Sequence, residues 1–505
     1  IKFRIYEFKS GNLQGLFNQF ATIRKDLSLP DTLSTILPFS SAFKVQEKKF
    51  NELNFVPEYG YYSVGARENF LQDWQIGWTG GMISTYPLLV AGSTITKSNV
   101  IKNFDWLFPD GISPSGFFWD SGEGGNRWYG GDIRKPHTAD WHLVRKSGDG
   151  LYYVIRQFMI MQKLGYPVKD SWKNGAKMVG DAFVNLWKKN GQFGNFINSK
   201  TGEIIVGGST SGGIVPGALC VSYKYFGEKS HLDIAIKAGD YYNENFVQKG
   251  ITCGGPGDAM QNPDSESCYA LLESYMLLYE TTKDNKWLGI AENVAMQFAT
   301  WVMSYNYKFP VNSLFSQLDI KSTGAVIANT QNKHGAPGIC TYSGVALLKL
   351  YRATGNKFYV ELLRDIAHNM PQYLSHPLKP IPGLKFGWMS ERVSTTDWFE
   401  GIGEMPLITT WAETALMLTY IELPGLYIQP GTSYFVVFDN IEAEIVAEDD
   451  KGLTLKISNP TNMNAEINLL VENNQDVKKL LGDVEGGYKK VLILAGQSEE
   501  MYFLK

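Results

Sequence analysis

One unit recurs along most of this 505-residue chain: a long loop, a helix, a short turn and a second helix. In its clearest copy, residues 252–263 are rich in glycine, proline and asparagine, which do not propagate a helix. Apolar residues recur at helical spacing after them, so we expect a helix to begin near Asp264. A polar turn then leads to a second amphipathic run at 288–301, as in an αα-hairpin. Asp258, Asp264 and Glu266 therefore crowd the start of one helix.

The repeated unit predicts a closed ring of helical hairpins. The first helices of the hairpins are expected to begin near residues 74, 149, 213, 265, 341 and 407. Each hairpin buries one face against its neighbours, and closing the array into a ring gives every hairpin two neighbours. The sixth hairpin lacks a second helix after Pro424, so we expect the lone helix at 13–27 to complete it. The predicted fold class is mainly α, an (α/α)6 toroid, with the long loops converging on one rim over a central cavity.

The pattern changes beyond residue 424. Short segments between 433 and 504 alternate polar and apolar residues or run apolar, and turn-forming residues separate them. A stretch of this length supports one small core. We therefore expect an (α/α)6-barrel domain at 1–424 and a small C-terminal antiparallel β-sandwich domain at 425–505.

Charge and hydropathy argue against several classes of protein. The 47 Lys and Arg residues against 51 Asp and Glu residues give a net charge of −4, which does not suit a nucleic-acid partner. No apolar run approaches the length of a membrane span, about 18 residues. The four cysteines lack the spacing of a zinc or disulfide site, so we expect structural thiols and no metal. The chain opens at Ile1 without methionine or a signal peptide, so we expect a processed or truncated form.

Aromatic residues make up 13% of the chain, and many of them lie in the glycine-rich loops. Aromatic faces on loops suit flat, weakly polar ligands such as sugar rings, and we expect some of these residues to pack the base of the loops instead. The stacking candidates are Trp78, Trp128, Trp141, Trp388 and Trp398. The loop at 108–148 is far longer than ordinary connections, and loops of that length are usually functional.

Twelve helices with short turns, six loops rich in aromatic residues and carboxylates, and a terminal β-sandwich resemble the six-hairpin, (α/α)6-barrel carbohydrate-active enzymes. Within that superfamily the chain looks most similar to bacterial uronide-acting hydrolases, the unsaturated glucuronyl hydrolases and related β-glucuronidases. Those enzymes place an aspartate at the start of an inner helix, as does Asp149 in Ser-Gly-Asp-Gly-Leu or Asp264 in Asn-Pro-Asp-Ser-Glu. The resemblance implies a periplasmic or secreted bacterial glycoside hydrolase that needs no cofactor and acts on an anionic oligo- or polysaccharide.

Glycoside hydrolysis needs two carboxyl groups, one as acid and one as base or nucleophile. Asp264 and Glu266 are the candidates for one member of this pair, and Asp149, Glu391 and Glu404 are the candidates for the other. The alternative interpretation of Asp264 and Asp149 is helix capping, because both lie where an N-cap belongs. Glu266, in the first turn, has the alternative of complementing the helix dipole.

His334 lies among turn-forming residues, which places it on the loop rim as a further catalytic candidate. His142 is a candidate for substrate binding, although its neighbours also fit a buried segment. Basic side chains in the loops would neutralise a carboxylated sugar, or they are solvated on the surface. These basic candidates are Arg127, Arg145, Lys333 and Arg392.

Other functions stay open on the same ring. A polysaccharide lyase would take its base and its neutralising groups from Asn332, His334, Tyr342 and Arg392. A sugar epimerase would need paired histidines, and the chain has six His. A glycan-binding protein would use the aromatic residues and carboxylates without turnover. We predict a hydrolase that removes terminal uronosyl or related residues, because the loops are long enough to close one end of the cavity and so favour exo action.

Overall fold

The computed structural model describes residues 4–28, 33–64, 74–131, 136–258, 260–395, 403–405, 408–409, 412–473 and 488–505. Trp398, a predicted stacking residue, and Trp411, in the predicted first helix of the sixth hairpin, lie outside these ranges. The α-helices are α1 (Leu13–Ser28), α2 (Phe39–Lys49), α3 (Thr85–Ala91), α4 (Thr94–Leu107), α5 (Val144–Lys163), α6 (Asp170–Asn190), α7 (Val215–Phe226), α8 (Lys229–Asn245), α9 (Ser265–Thr282), α10 (Asn285–Ala299), α11 (Leu314–Gln317), α12 (Val345–Thr354), α13 (Phe358–Asn369) and α14 (Ala412–Glu422).

The helices form six pairs, each with an inner helix and an outer helix packed against it. The pairs are α3 with α4, α5 with α6, α7 with α8, α9 with α10, α12 with α13 and α14 with α2. Contacts also link the inner helices α3 to α5, α5 to α7, α7 to α9, α9 to α12 and α14 to α3. Between α12 and α14, the Ser343 hydroxyl donates a hydrogen bond to Glu422. The (α/α)6 ring predicted from the sequence is therefore confirmed.

The inner helices are buried on almost every face, whereas the outer helices bury one stripe. In α9, side chains around the whole helix, such as Cys268, Leu271, Leu272 and Tyr275, have no exposed surface. A helix that is apolar all round needs neighbours on every side, and the ring supplies them. This arrangement points the first turns of the inner helices at the rim that carries the long loops.

The sixth hairpin differs from the prediction. Helix α2, in a stretch that the repeat pattern leaves unassigned, is the partner of α14. The predicted partner α1 packs against α10 outside the ring. In α2, Phe39, Ala42 and Phe43 are buried against the core. Lys49 is also buried there and forms an ion pair with Glu413 of α14 at 3.3 Å. The charged residues of α2 interrupt its apolar pattern, so the sequence does not predict this helix. Lys49 is one of these charged residues, and it is buried.

Two inner helices begin elsewhere than predicted. Helix α3 starts at Thr85, because Gly77, Gly80 and Met82 adopt the left-handed conformation, with φ of 62°, 103° and 62°, and interrupt the run. Helix α5 starts at Val144, with Leu143 as N-cap. Asp149 therefore lies in the second turn, and its interpretation as an N-cap is wrong.

Short strands line the loops between the helices. They are β1 (Phe55–Val56), β2 (Tyr61–Tyr62), β3 (Trp74–Gln75), β4 (Ser121–Glu123), β5 (Arg127–Tyr129), β6 (Trp141–Leu143), β7 (Phe196–Asn198), β8 (Ile204–Val206), β9 (Val326–Ile327), β10 (Gly335–Ala336), β11 (Met389–Ser390) and β12 (Ile408–Thr409). Strands β3–β4–β5 and β6–β7–β8 form two small antiparallel sheets. They hold the long loops in place beside the inner helices.

The last strands form two further sheets. These strands are β13 (Leu426–Gln429), β14 (Tyr434–Val437), β15 (Glu442–Glu448), β16 (Gly452–Ser458), β17 (Ala465–Val471), β18 (Lys489–Ile493) and β19 (Ser498–Leu504). Their orders are β14–β13–β17–β18 and β15–β16–β19. Strands β13 and β17 run parallel, with Leu426 opposite Leu469, so the prediction of a purely antiparallel arrangement is wrong at this pair.

Buried residues of both sheets share one apolar cluster, with Ile467 from the first sheet and Leu455 from the second. The sheets also contact the ring, because the Phe39 amide at the start of α2 donates to Asp439 at 2.8 Å. The sandwich and the division into two domains stay predictions. In the described part of the chain, no helix is both long and apolar enough to cross a membrane.

Candidate active site

A cavity opens among the loops that precede four of the inner helices. Its polar and aromatic lining side chains are Trp78, Asp258, Glu266, Asn329, Asn332, His334, Cys340 and Glu391. Trp78 comes from the segment before α3, Asp258 from the loop before α9, and Glu391 from the loop before α14. The loop before α12 supplies four of these side chains, so residues distant in the sequence meet in one place.

Glu266 is the most firmly held carboxylate of the cavity. It lies in the first turn of α9 and is 7% exposed. Trp78 Nε1 donates to its Oε2 at 3.0 Å, and the guanidinium of Arg145 donates to the same oxygen. Two donors on one oxygen hold the carboxylate in a fixed position. The first-turn position predicted for Glu266 is confirmed, and here it also faces the cavity.

Arg145 connects Glu266 to a fully buried set of polar residues. Its Nε donates to Asp149 Oδ2 at 3.2 Å, and the Tyr342 hydroxyl donates to the other oxygen of Asp149 at 2.7 Å. Burial opposes the charge of Arg145, yet Glu266 and Asp149 hold its pKa well above the ordinary value. Burial raises the pKa of Asp149, and Arg145 opposes that shift. Asp149, Arg145 and Tyr342 thus lie behind the cavity wall and position Glu266.

Asp264 is the N-cap of α9, as one interpretation of the sequence proposes. Its Oδ1 accepts a hydrogen bond from the Ser267 amide at 2.6 Å, and its Oδ2 accepts from the Gly255 amide at 3.0 Å. Burial and the neighbouring Glu266 raise the pKa of Asp264 to about 6. Asp264 is fully buried and does not line the cavity. It ties the loop before α9 to the helix that carries Glu266.

Two more carboxylates reach the cavity from separate loops. Asp258 Oδ2 accepts a hydrogen bond from Asn332 Nδ2 at 2.9 Å, which joins the loop before α9 to the loop before α12. Glu391 is 20% exposed, and its Oε1 lies 3.6 Å from Arg392 Nε. Glu391 was a sequence candidate, whereas Asp258 was noticed near the helix start without a role. Glu404, the remaining candidate, is exposed and is not among the lining residues.

His334 lines the same cavity, and its ring is oriented by the backbone. Its Nδ1 lies 2.8 Å from the Gly335 carbonyl oxygen, which makes Nδ1 the protonated nitrogen and leaves Nε2 as an acceptor. Partial burial lowers the pKa of His334, so the imidazole is neutral at pH 7. The predicted position of His334 on the loop rim is therefore supported by its surroundings.

Several predicted stacking residues pack against other aromatic rings instead. Trp128 contacts Trp106, with ring centroids 4.5 Å apart. Trp141 packs on Phe196 at 5.7 Å. Trp388 is nearly buried, and the ammonium of Lys49 lies 5.5 Å from its ring. Of the described stacking candidates, Trp78 is the one that lines the cavity.

The predicted polar binding residues are also dispersed. His142 is fully buried, with Nε2 at 2.7 Å from the Ser147 hydroxyl and Nδ1 at 3.6 Å from Asp120. It fits the buried alternative left open by the sequence. Arg127 is on the surface near Glu123, and Lys333 is exposed beside His334. Arg127 and Lys333 are therefore outside the cavity lining, whereas Arg145 and Arg392 lie beside the lining carboxylates Glu266 and Glu391.

Cys340 is a lining residue that sequence reasoning treated as a structural thiol. It adopts a left-handed conformation, with φ of 47°, and its Sγ lies 3.7 Å from Arg145 Nη2. No sequence signal marks such a position, because it depends on the turn before α12. The four cysteines are free thiols. Across the described ranges, no group of three or more His, Cys, Asp or Glu side chains is arranged to hold a metal ion.

No protein-family model matches the sequence, and no curated protein matches it. Among solved structures, cellobiose 2-epimerase from Bacillus thermoamylovorans is 11% identical, with a TM-score of 0.49 over 80% of this chain and 98% of the epimerase. A family 76 glycoside hydrolase, a mannosidase from Bacteroides thetaiotaomicron, is 14% identical, with a TM-score of 0.48 over 76% and 96%. An unsaturated glucuronyl hydrolase specific for heparin is 13% identical, with a TM-score of 0.43 over 80% and 95%.

At such identities and TM-scores, the similarity assigns this chain neither a family nor a substrate. Its chemistry has to be argued from the cavity itself.

Proposed function

We propose that the chain is a glycoside hydrolase and that the cavity beside α9 is its active site. The observation that supports this best is the Glu266 carboxylate, held by Arg145 and Trp78, in one cavity with Glu391. Hydrolysis of a glycosidic bond requires two carboxyl groups in one water-accessible site. Trp78 adds an aromatic face of the kind that stacks on sugar rings.

Glu266 acts as the base or nucleophile in this proposal. Two donors, one of them the Arg145 guanidinium, converge on its Oε2 and fix the position of that oxygen. Arg145 is itself fixed by Asp149, which keeps the carboxylate in one orientation. A pre-organised anion of this kind stabilises the positive charge that develops on the sugar ring in the transition state.

Glu391 acts as the acid. It comes from a different loop than Glu266, and its partial exposure allows proton exchange with water between turnovers. Glu391 gives its proton to the glycosidic oxygen as the bond to the anomeric carbon breaks. Glu266 then either bonds to that carbon or takes a proton from the attacking water, according to the separation of the two carboxyl groups.

A second candidate function rests on His334. A neutral imidazole with Nε2 as acceptor can remove a proton from a carbon next to a carbonyl or carboxylate group, as lyases and epimerases require. Tyr342 suits this role poorly, because its buried hydroxyl donates to Asp149 and its pKa is raised well above the ordinary value. Among the described lining residues, His334 has no second histidine beside it.

The uronosyl substrate, the exo action and the periplasmic or secreted location stay predictions from the sequence and its resemblance. The first experiment determines which reaction the protein catalyses. The protein is incubated with neutral and uronic-acid-containing oligosaccharides while released reducing ends and ultraviolet absorbance of unsaturated uronates are followed.

New reducing ends without a rise in absorbance support hydrolysis, and Glu266→Gln should remove that activity. A rise in absorbance would favour the His334 chemistry of a lyase. A change of sugar configuration without new reducing ends, followed by NMR in D₂O, would favour an epimerase. Absence of all three signals would count against an enzyme.

A further inference from the structure

We infer that the cavity selects sugars without a carboxylate and that Asp258 contributes to this selection. The inference rests on the proposed active site, and it departs from the uronide substrate expected from the sequence. Among the described lining residues, the ionisable carboxylates are Asp258, Glu266 and Glu391, and none of the lining side chains is Lys or Arg. His334, the remaining basic group, is neutral at pH 7.

The nearby arginines are already engaged by carboxylates of the protein. Arg145 is fully buried and donates to both Asp149 and Glu266. Arg392 has Glu391 at 3.6 Å, so its charge is partly offset at the same place. A uronate is usually recognised by a planar, bidentate contact with a guanidinium. Arg145 cannot make such a contact without giving up its protein partners, and Arg392 is not among the lining residues.

The other two basic candidates lie on the protein surface. Arg127 is 66% exposed and lies 3.6 Å from Glu123, outside the cavity lining. Lys333 is exposed and is likewise not a lining residue. Because neither side chain lines the cavity, neither cation is in contact with a ligand bound there. A sugar carboxylate in the cavity would therefore face Asp258 and Glu266 with no Lys or Arg among the described lining residues.

Asp258 is the carboxylate best placed to act on specificity. Its Oδ2 is held by Asn332 at 2.9 Å, and its backbone oxygen accepts from Gln331 Nε2 at 3.3 Å. These bonds fix an exposed negative charge at the cavity surface without pairing it to a cation. A fixed like charge excludes an anionic ligand even where the shape of the ligand fits. An uncharged or cationic ring meets no such repulsion.

The test measures binding, which does not depend on turnover. The probes are three matched pairs of methyl glycosides: glucoside and glucuronide, galactoside and galacturonide, and mannoside and mannuronide. Their affinities are measured by saturation-transfer NMR and calorimetry at low and high salt. We expect the neutral member of at least one pair to bind at least about tenfold more tightly than its uronide. This difference in affinity, called the gap below, should become smaller as the salt concentration rises.

Asp258→Asn keeps the shape and the contact with Asn332 while removing the charge, so it should narrow the gap by at least about threefold. Asp258→Ser also removes the charge. It serves if Asp258→Asn fails to fold, and it should narrow the difference in affinity in the same direction. The matched control is Asp170→Asn, which removes an exposed carboxylate at the start of α6 and should leave the gap unchanged.

Tighter binding of the uronides, an unchanged gap in the folded variants, or no binding of any probe would each overturn the inference. The proposed function fails separately. Preferential binding of neutral glycosides with no hydrolysis of any of them would contradict the proposed hydrolase function and support the charge selection. Hydrolysis of uronides alone would support the hydrolase function and contradict the charge selection.

Discussion

Arg145 and Glu266 lie 121 residues apart in the chain and meet in a buried ion pair at the cavity wall. The same guanidinium also binds Asp149 one turn further along α5. A buried arginine between two carboxylates holds each of them in one orientation, because moving either would leave an unpaired charge in a poorly solvated place. The position of Glu266 is thus set from behind the cavity, which leaves the front of the carboxylate for a ligand.

The first prediction concerns Glu266 itself. Glu266→Gln keeps an oxygen for Trp78 Nε1 and removes the negative charge, so we expect kcat/KM for glycoside hydrolysis to fall by about 10²- to 10⁴-fold. Binding of the neutral glycoside should persist, as should the circular dichroism spectrum. Glu244→Gln, an exposed glutamate on α8, is the control and should behave as wild type. Unchanged turnover in Glu266→Gln would remove Glu266 from the mechanism.

The second prediction separates the acid from the base. An acid that protonates the leaving group matters less when that group leaves easily, so Glu391→Gln should retain hydrolysis of dinitrophenyl glycosides within about tenfold. With alkyl or sugar leaving groups, the same variant should lose about 10²- to 10⁴-fold in kcat/KM. Glu266→Gln should lose activity on both kinds of substrate. If Asp258→Asn shows the dependence on leaving group and Glu391→Gln does not, Asp258 is the acid.

The third prediction is a pH dependence of stability caused by Asp264. The folded protein raises its pKa to about 6 from an ordinary 3.8, so the folded state holds the proton more tightly than the unfolded state does. The contribution of Asp264 to stability is therefore present at low pH and is lost as the pH rises through about 6. Relative to Asp264→Asn, the wild type should lose about 2 kcal/mol of unfolding free energy between about pH 4 and pH 7.

This difference can be measured by urea unfolding of both proteins at each pH. Asp170→Asn is a control of opposite sign, because a hydrogen bond from Lys173 lowers the pKa of Asp170. Relative to Asp170→Asn, the Asp170 carboxylate of the wild type should therefore contribute slightly more to stability as the pH rises. A wild-type advantage over Asp264→Asn that grows with pH would show that Asp264 is not a buried carboxylate of raised pKa.

Sequence reasoning located the helix that carries Glu266 because its apolar residues follow a helical period and its cap is an aspartate after proline. It singled out Arg145 and Asp149 separately, but periodicity says nothing of contacts between segments far apart in the chain. The pairing of Arg145 with Glu266 depends on the closure of the ring. The sequence therefore identifies candidate carboxylates, but it does not predict which of them line the cavity and which are buried behind it.

The stacking residues show another limit. Trp78 and Trp128 lie in similar glycine-rich loops, yet one lines the cavity and the other packs against Trp106. An indole on a loop has the same sequence signature in both situations, because loop composition reports turns and not the direction of a side chain. Trp128 lies in β5, and the pairing of β3, β4 and β5 holds it in place. That pairing joins segments distant in the chain, so the local sequence does not predict it.

The last prediction concerns Lys49 of α2, the helix that the repeat pattern leaves unassigned. Its ammonium lies 3.3 Å from Glu413 Oε2, and both side chains are buried. Lys49→Met leaves the Glu413 carboxylate without its partner, so we expect a loss of about 3 kcal/mol in the free energy of unfolding. Burial already raises the pKa of Glu413 to about 7, so protonation should make this loss smaller at pH 5 than at pH 8. The measurement is urea unfolding at both pH values.

The neighbouring residue supplies the control. Lys48 is 73% exposed and lies 3.9 Å from Glu52, so Lys48→Met should change the stability by less than about 1 kcal/mol. The double variant Lys49→Met with Glu413→Gln should recover part of the loss, because it removes the unpaired charge together with its partner. Equal effects at positions 48 and 49 would contradict the pairing of α2 with α14, since only a helix packed in the ring buries one of two adjacent lysines and leaves the other in water.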